Sequence, residues 1–291
     1  MSESGSVVWP GPGEPLWRFD WRLADSPDQE GIVIRSVRYR DRQLLYKASL
    51  PSLRVRYNGQ CGPYKDPLTY NNAQPTSRCP NNRVCLYSYL SGGLRALGVE
   101  SYHRIGAYRL THRWVFWEDG TLMARLYSAG LQCNYDHDHH AYWRFDFDID
   151  DSANDLVFEY NTYTANQGWG PGWHTKNWET TRLKNPSSQR SWAVMDLQSQ
   201  RGYHVLPRST DGTADWFSTR DLWVLRYHGA EDRNGQQGSA SDDALMPYVS
   251  GEDVNAKDVV LWYCAHLHHH AADGGSDWHG AGPNLVPFGN W

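Results

Sequence analysis

The chain lacks the features that would place it in several large classes. No apolar run is long enough to cross a bilayer, so a membrane is not an expected partner. No block of Lys and Arg is present and the formal net charge is −5, so nucleic acid is not an expected partner either. Residues 1–13 lack the charged-then-apolar order of a signal peptide, which leads to the expectation of a cytoplasmic protein. Segments with a helical period are few, and there is no internal repeat or low-complexity tract. Cysteine is scarce and odd in number, with five: Cys61, Cys79, Cys85, Cys133 and Cys264. None of the spacings makes a zinc ribbon. Reduced thiols fit a cytoplasmic protein, and a disulfide among Cys61, Cys79 and Cys85 is the alternative.

What is present is aromatic and turn-rich: 15 Trp, 18 Tyr and 26 Gly among 291 residues. Short alternating runs dominate, such as Leu53-Arg54-Val55-Arg56-Tyr57 and Leu222-Trp223-Val224-Leu225. This pattern predicts a mainly antiparallel β architecture. Residues 1–16 read as a flexible arm and residues 17–291 as a single domain. Residues 86–97 read as a short turn or helix, and Glu118-Asp119-Gly120 as a hairpin turn. The tryptophan-rich stretch from Trp169 to Trp178 reads as a long loop, with core or interface packing the expected role of its rings. The last strand is expected over Asp258–Tyr263, leading into a histidine cluster.

The chemistry concentrates in two places. His137-Asp138-His139-His140 precedes Arg144-Phe145-Asp146-Phe147-Asp148-Ile149-Asp150. On a strand, His137 and His139 point to one side as a pair of imidazole ligands, and the aspartates share one face opposite the apolar residues. Far downstream, His266 and His268-His269-His270 can complete a coordination sphere. Such a set suits copper or zinc.

These motifs resemble the catalytic domain of the copper amine oxidases, which build a topaquinone cofactor from their own tyrosine. His137-x-His139 followed by Arg144-x-Asp146-x-Asp148 matches the family pattern in spacing. Asp258-Val259-Val260-Leu261-Trp262 resembles the strand that leads to the third copper histidine, and His269 stands eleven residues after Asp258. Glu30-Gly31-Ile32-Val33, Tyr46-Lys47-Ala48-Ser49-Leu50, Gly202-Tyr203-His204-Val205-Leu206-Pro207 and Leu222-Trp223-Val224-Leu225-Arg226-Tyr227 also occur in the family's order. The resemblance runs from Trp17 to the C-terminus.

The resemblance implies an antiparallel β-sandwich of the copper amine oxidase catalytic-domain type, acting as a homodimer. It implies copper held by His137, His139 and His269, with His268 the second choice for the last ligand. It implies a second metal, calcium or another hard ion, at Asp146, Asp148 and Asp258. Asn134-Tyr135-Asp136 copies the family's cofactor tripeptide, but the surrounding landmarks align Tyr108 with the topaquinone precursor. Its neighbours depart from the family: Ala107 and Arg109 replace an Asn and an acidic residue. Arg109 is a candidate for pinning a phenolate or a substrate carboxylate. Tyr57 matches the tyrosine that bonds the quinone, and Cys61 with Cys85 matches the family disulfide. The segment that carries the family's catalytic base is missing, and Asp66 is the nearest carboxylate. The implied activity is oxidative deamination of a primary amine with O₂. A copper enzyme without the quinone is the alternative, and a non-catalytic metal-binding scaffold the second alternative.

Overall fold

Alternation along each segment sets the architecture. In Trp17–Ala24, Trp17, Phe19, Trp21 and Leu23 are buried while Arg18, Asp20 and Arg22 turn outward. Such a period of two commits a segment to a half-buried strand. The computed structural model describes residues 1–25, 29–162, 171–232, 245–275 and 279–291. Its strands, in chain order, are β1 (Ser2–Trp9), β2 (Trp17–Ala24), β3 (Ile32–Tyr39), β4 (Arg42–Tyr57), β5 (Tyr64–Lys65), β6 (Ala73–Gln74), β7 (Val84–Ser91), β8 (Leu94–Ile105), β9 (Tyr108–Trp117) and β10 (Leu122–Ala129). The second half adds β11 (His137–Phe147), β12 (Asp155–Asn161), β13 (Gly172–Lys176), β14 (Thr180–Arg182), β15 (Ser191–Asp196), β16 (Gly202–Leu206), β17 (Leu222–Arg226), β18 (Val259–His269), β19 (His279–Ala281) and β20 (Asn284–Phe288).

The strands form two antiparallel sheets. One runs β1-β2-β3-β4-β11-β18-β17-β14, with β5 on β4; the other runs β13-β12-β15-β16-β20-β10-β9-β8-β6, with β19 on β10 and β7 on β8. The expected β-sandwich is therefore observed. Its core is aromatic. Phe19 stacks on Phe116 at 4.1 Å between ring centroids, and Trp114 meets Trp143 edge-on at 5.3 Å. Polar bolts cross the same space: the Ile32 amide donates to His112 Nδ1 at 2.9 Å and Trp114 Nε1 donates to the Ile32 carbonyl at 2.8 Å. Gly31 has a φ of +64°, and a Cβ there would lie 2.2 Å from His112 Nδ1, so glycine is required for this closure.

Four expectations are corrected. Residues 86–97 form the β7–β8 hairpin, because Gly92 and Gly93 both adopt positive φ and make the tight turn. Residues 2–9, expected within a flexible arm, pair with β2 over their whole length. The last histidine cluster lies on a strand rather than after it. Pairing with β11 carries β18 through His269, and β19 and β20 follow. The disulfides join Cys61 to Cys133 and Cys79 to Cys85, not Cys61 to Cys85. The physical reason is register: Tyr57 pairs with His137, so the chain leaving β4 runs beside the chain entering β11. The hairpin turn at 118–120 is observed, closed by the Trp117 amide donating to the Thr121 carbonyl. The part of the tryptophan-rich loop at 163–170, including Trp169, lies outside the described residues.

Candidate metal centre

The two central strands of the first sheet bring the distant histidines together. His137 is the cross-strand partner of His269, and His139 that of Leu267. His137, His139 and His269 thus share one face and turn into the space between the sheets. All three are fully buried, and each offers a ligand atom within 4.8 Å of the others. Neighbouring carbonyls fix two of the tautomers. His137 Nδ1 donates to the Tyr135 carbonyl at 3.2 Å, which leaves the lone pair on Nε2. His269 Nε2 donates to the Gly274 carbonyl at 2.9 Å, which places its lone pair on Nδ1. His139 Nε2 lies 3.1 Å from Ser128 Oγ. His137 Nε2 and His139 Nδ1 are buried without any hydrogen-bond partner, an arrangement that is costly unless a ligand completes it.

Burial also fixes the charge. It depresses His137 to about 4, opposed by its bond to the Tyr135 carbonyl, and holds His139 well below the usual imidazole range. Both rings are neutral at pH 7, the form that binds a metal. Three neutral imidazoles suit copper.

Tyr108 approaches from the opposite sheet. It is the first residue of β9, and its ring centroid lies 4.8 Å from that of His139 and 5.7 Å from that of His137. Its Oη is buried without a hydrogen-bond partner. Gly130, with φ +103°, allows the end of β10 to press against Ala107 and Tyr108, where a Cβ would lie 2.2 Å from the Ala107 carbonyl oxygen. Tyr57, at the end of β4, stacks on His137 at 4.5 Å. Burial raises its phenol to about 12, and the charge of Asp66 adds to that rise. Asp66 follows β5, and its amide donates to the Leu53 carbonyl at 2.9 Å. This register places it on the same sheet face as Val55 and Tyr57. Burial alone raises its carboxyl to about 7, and Oδ2 has no partner.

Arg109 was expected to pin a phenolate or a substrate carboxylate. As the residue after Tyr108 it points away from the tyrosine ring, and its guanidinium donates to the Gly275 carbonyl. It therefore steadies the turn that holds His269. Tyr135, in the copied tripeptide, is half-exposed and covers Gly59. His268 lies on the other face of β18, 2.9 Å from Asp138, so His269 rather than His268 completes the triad. Trp173 and Trp178 are exposed, not packed in the core.

The second carboxylate set is also assembled. Asp146, Asp148 and Asp258 each offer an oxygen within 4.8 Å of the others. Burial and mutual repulsion raise Asp146 and Asp148 to about 7 and burial raises Asp258 to about 6, which a cation would relieve. Arg144 Nη1 donates to Asp146 at 3.0 Å and its other nitrogens grip Glu231. Sequence reasoning missed Asp155. It is fully buried at the start of β12, neither oxygen has a partner, and the charges of Asp148 and Asp258 reach it. A buried Asp opening an alternating strand, shortly after the Asp146–Asp148 pair, was the available signal.

The profile of the family "Copper amine oxidase, enzyme domain" matches residues 127–276. The chain belongs to the copper amine oxidase family. The match covers just over half of the chain and contains both strands that carry the histidine triad. Solved structures agree in fold. A copper-containing benzylamine oxidase from Hansenula polymorpha superposes with a TM-score of 0.73 at 17% identity, over 97% of this chain and 59% of that one. A lysyl oxidase from Pichia pastoris gives 0.73 at 15% identity, and an amine oxidase from Aspergillus nidulans 0.72 at 18%, each over 94% of this chain and 51% of the other. This copper amine oxidase domain thus spans between half and three-fifths of the length of those relatives. No curated protein matches the chain. Among the described residues no helix is long and apolar enough to cross a membrane.

Proposed function

We propose that this chain is a copper-dependent oxidase that deaminates a primary amine with O₂, using a quinone derived from Tyr108. The observation that carries the reading is the buried triad His137, His139 and His269 with Tyr108 against it, its Oη unpartnered. Copper with O₂ supplies the redox chemistry that oxidises the tyrosine ring and returns the enzyme to its oxidised state after turnover. The rest is done by the chain. The Tyr135 and Gly274 carbonyls orient His137 and His269, and Ser128 adjoins His139. Tyr57 stays a neutral phenol against His137 and limits the room around the site. Asp66 is the base: a buried carboxyl with a proton affinity near neutrality accepts a proton from the substrate carbon. The net reaction converts amine, O₂ and water into aldehyde, ammonia and hydrogen peroxide.

A hard cation such as Ca²⁺ at Asp146, Asp148 and Asp258 braces β11 against the start of β18. The active form is a homodimer, as the resemblance to the family implies. Two disulfides fit folding in an oxidising compartment better than the expected cytoplasmic location.

The test is peroxide release from a panel of primary amines by copper-loaded protein. Activity that disappears with chelation and in His139→Ala supports the reading. Full copper occupancy with no amine-dependent peroxide would assign the scaffold to another copper reaction, the reading favoured by Ala107 and Arg109 beside Tyr108.

A further inference from the structure

The other face of the same two strands carries a second set of ligands. His140 and His266 are direct cross-strand partners, and Cys264 lies two residues from His266 on that face. His140 and Cys264 are fully buried and His266 is 3% exposed. Each offers a ligand atom within 4.8 Å of the others. Cys264 lies outside both disulfides.

The imidazoles are turned toward each other. His266 Nε2 lies 2.8 Å from Asp221 Oδ1, a carboxylate that Lys184 Nζ also approaches at 3.3 Å. The contact lacks hydrogen-bond geometry, but a proton on Nε2 facing the carboxylate would leave the lone pair on Nδ1. His140 Nε2 faces Asp215 at 3.7 Å and has no hydrogen-bond partner. The two Nδ1 atoms stand 2.9 Å apart. Without a metal one Nδ1 donates to the other, and a cation can take the place of that shared proton.

We propose that His140, Cys264 and His266 form a second transition-metal site, suited to zinc, on the opposite face of the β11–β18 pair from the copper triad. One thiolate and two imidazoles are a common zinc donor set, with a fourth position left for water or a carboxylate. Asp221 behind His266 is the carboxylate partner that metal-bound histidines usually have. Binding releases the thiol proton to solvent. A cavity of about 470 Å³ lined by His268, His270 and His279 reaches His266. The site would tie the two strands together directly behind the copper ligands, since His139 and His140 are neighbours facing opposite ways.

Co²⁺ is the probe, added to the full chain with both disulfides intact. Cobalt bound by a thiolate absorbs in the near ultraviolet through sulfur-to-metal charge transfer, and Cys264 is the one cysteine of five outside a disulfide. The expected result is a charge-transfer band that saturates at one equivalent, persists in His139→Ala, disappears in Cys264→Ser and is displaced by Zn²⁺. No such band in the wild-type protein at saturating Co²⁺ would overturn the proposal, and that result needs no variant to fold. A band that survives Cys264→Ser would overturn it too. Either would leave the cluster as a buried hydrogen-bond network with Ser218 and Tyr142.

Discussion

At the scale of single residues, the site works by denying water and charge to a few groups. Asp66 shows this most directly. Its carboxyl moves from an ordinary value of 3.8 to about 7 through burial alone. A carboxyl raised in the folded state stabilises the fold below its unfolded value and loses that contribution as pH rises to its folded value. From pH 4 to pH 7 Asp66 therefore costs stability, by roughly 4 kcal/mol at the upper end of the range. Asp66→Asn should melt higher than the parent at pH 8 and no higher at pH 4, while amine turnover falls by at least about a hundredfold. Equal melting at pH 8 would mean that Asp66 is not held in that environment. The Arg109 guanidinium donates to the Gly275 carbonyl, next to the Gly274 carbonyl that holds His269. Arg109→Ala should weaken copper retention about tenfold, measured by competition with a chelator, with no selective loss of acidic amines.

The same scale shows what could be read in advance. The pairing of His137 with His139 followed from alternation. The tautomers did not, because they depend on the Tyr135 and Gly274 carbonyls, which pattern alone does not locate. Alternation along β9 sends Arg109 away from the Tyr108 ring, which the tyrosine motif by itself does not convey.

Among elements, the β11–β18 ladder is decisive. Eleven residue pairs from His137↔His269 to Phe147↔Val259 run in unbroken register. A one-residue slip would send His137 and His139 to the face of His140 and His266. Sequence placed both segments as strands but stopped the second at Tyr263, because histidines look like a loop when their partner strand is unknown. The Leu86–Leu97 segment failed for a different reason. Gly92-Gly93 between alternating flanks was a hairpin signal that a short apolar run concealed. The Cys61–Cys133 disulfide closes the end of the neighbouring β4–β11 ladder across a sequence separation of 72 residues. Breaking it should lower stability by about 4 kcal/mol. Cys61→Ser/Cys133→Ser should accordingly show earlier thermal unfolding and faster copper loss, whereas breaking Cys79–Cys85 should leave copper loss unchanged. Identical copper-loss rates in both variants would separate the Cys61 bridge from the site.

For the whole molecule, the sandwich places a tyrosine from one sheet against histidines from the other, so the centre exists only when the sheets are packed. The carboxylate set at Asp146, Asp148 and Asp258 belongs to this scale, since it brings oxygens from β11, from just after it and from just before β18 within 4.8 Å of one another. Removing Ca²⁺ from protein held at about a hundred times its dissociation constant should lower the melting temperature by roughly 5–10 °C. Asp258→Ala should abolish that difference; an unchanged melting temperature in the parent would remove the bracing role.

The central claim is that copper held by His137, His139 and His269 turns Tyr108 into a quinone. The mass of the proteolytic peptide that contains Tyr108, from protein loaded with copper in air, tests it most directly. The account predicts a gain of two oxygens less two hydrogens at Tyr108, absent in His139→Ala. An unmodified Tyr108 in protein with full copper occupancy would contradict it.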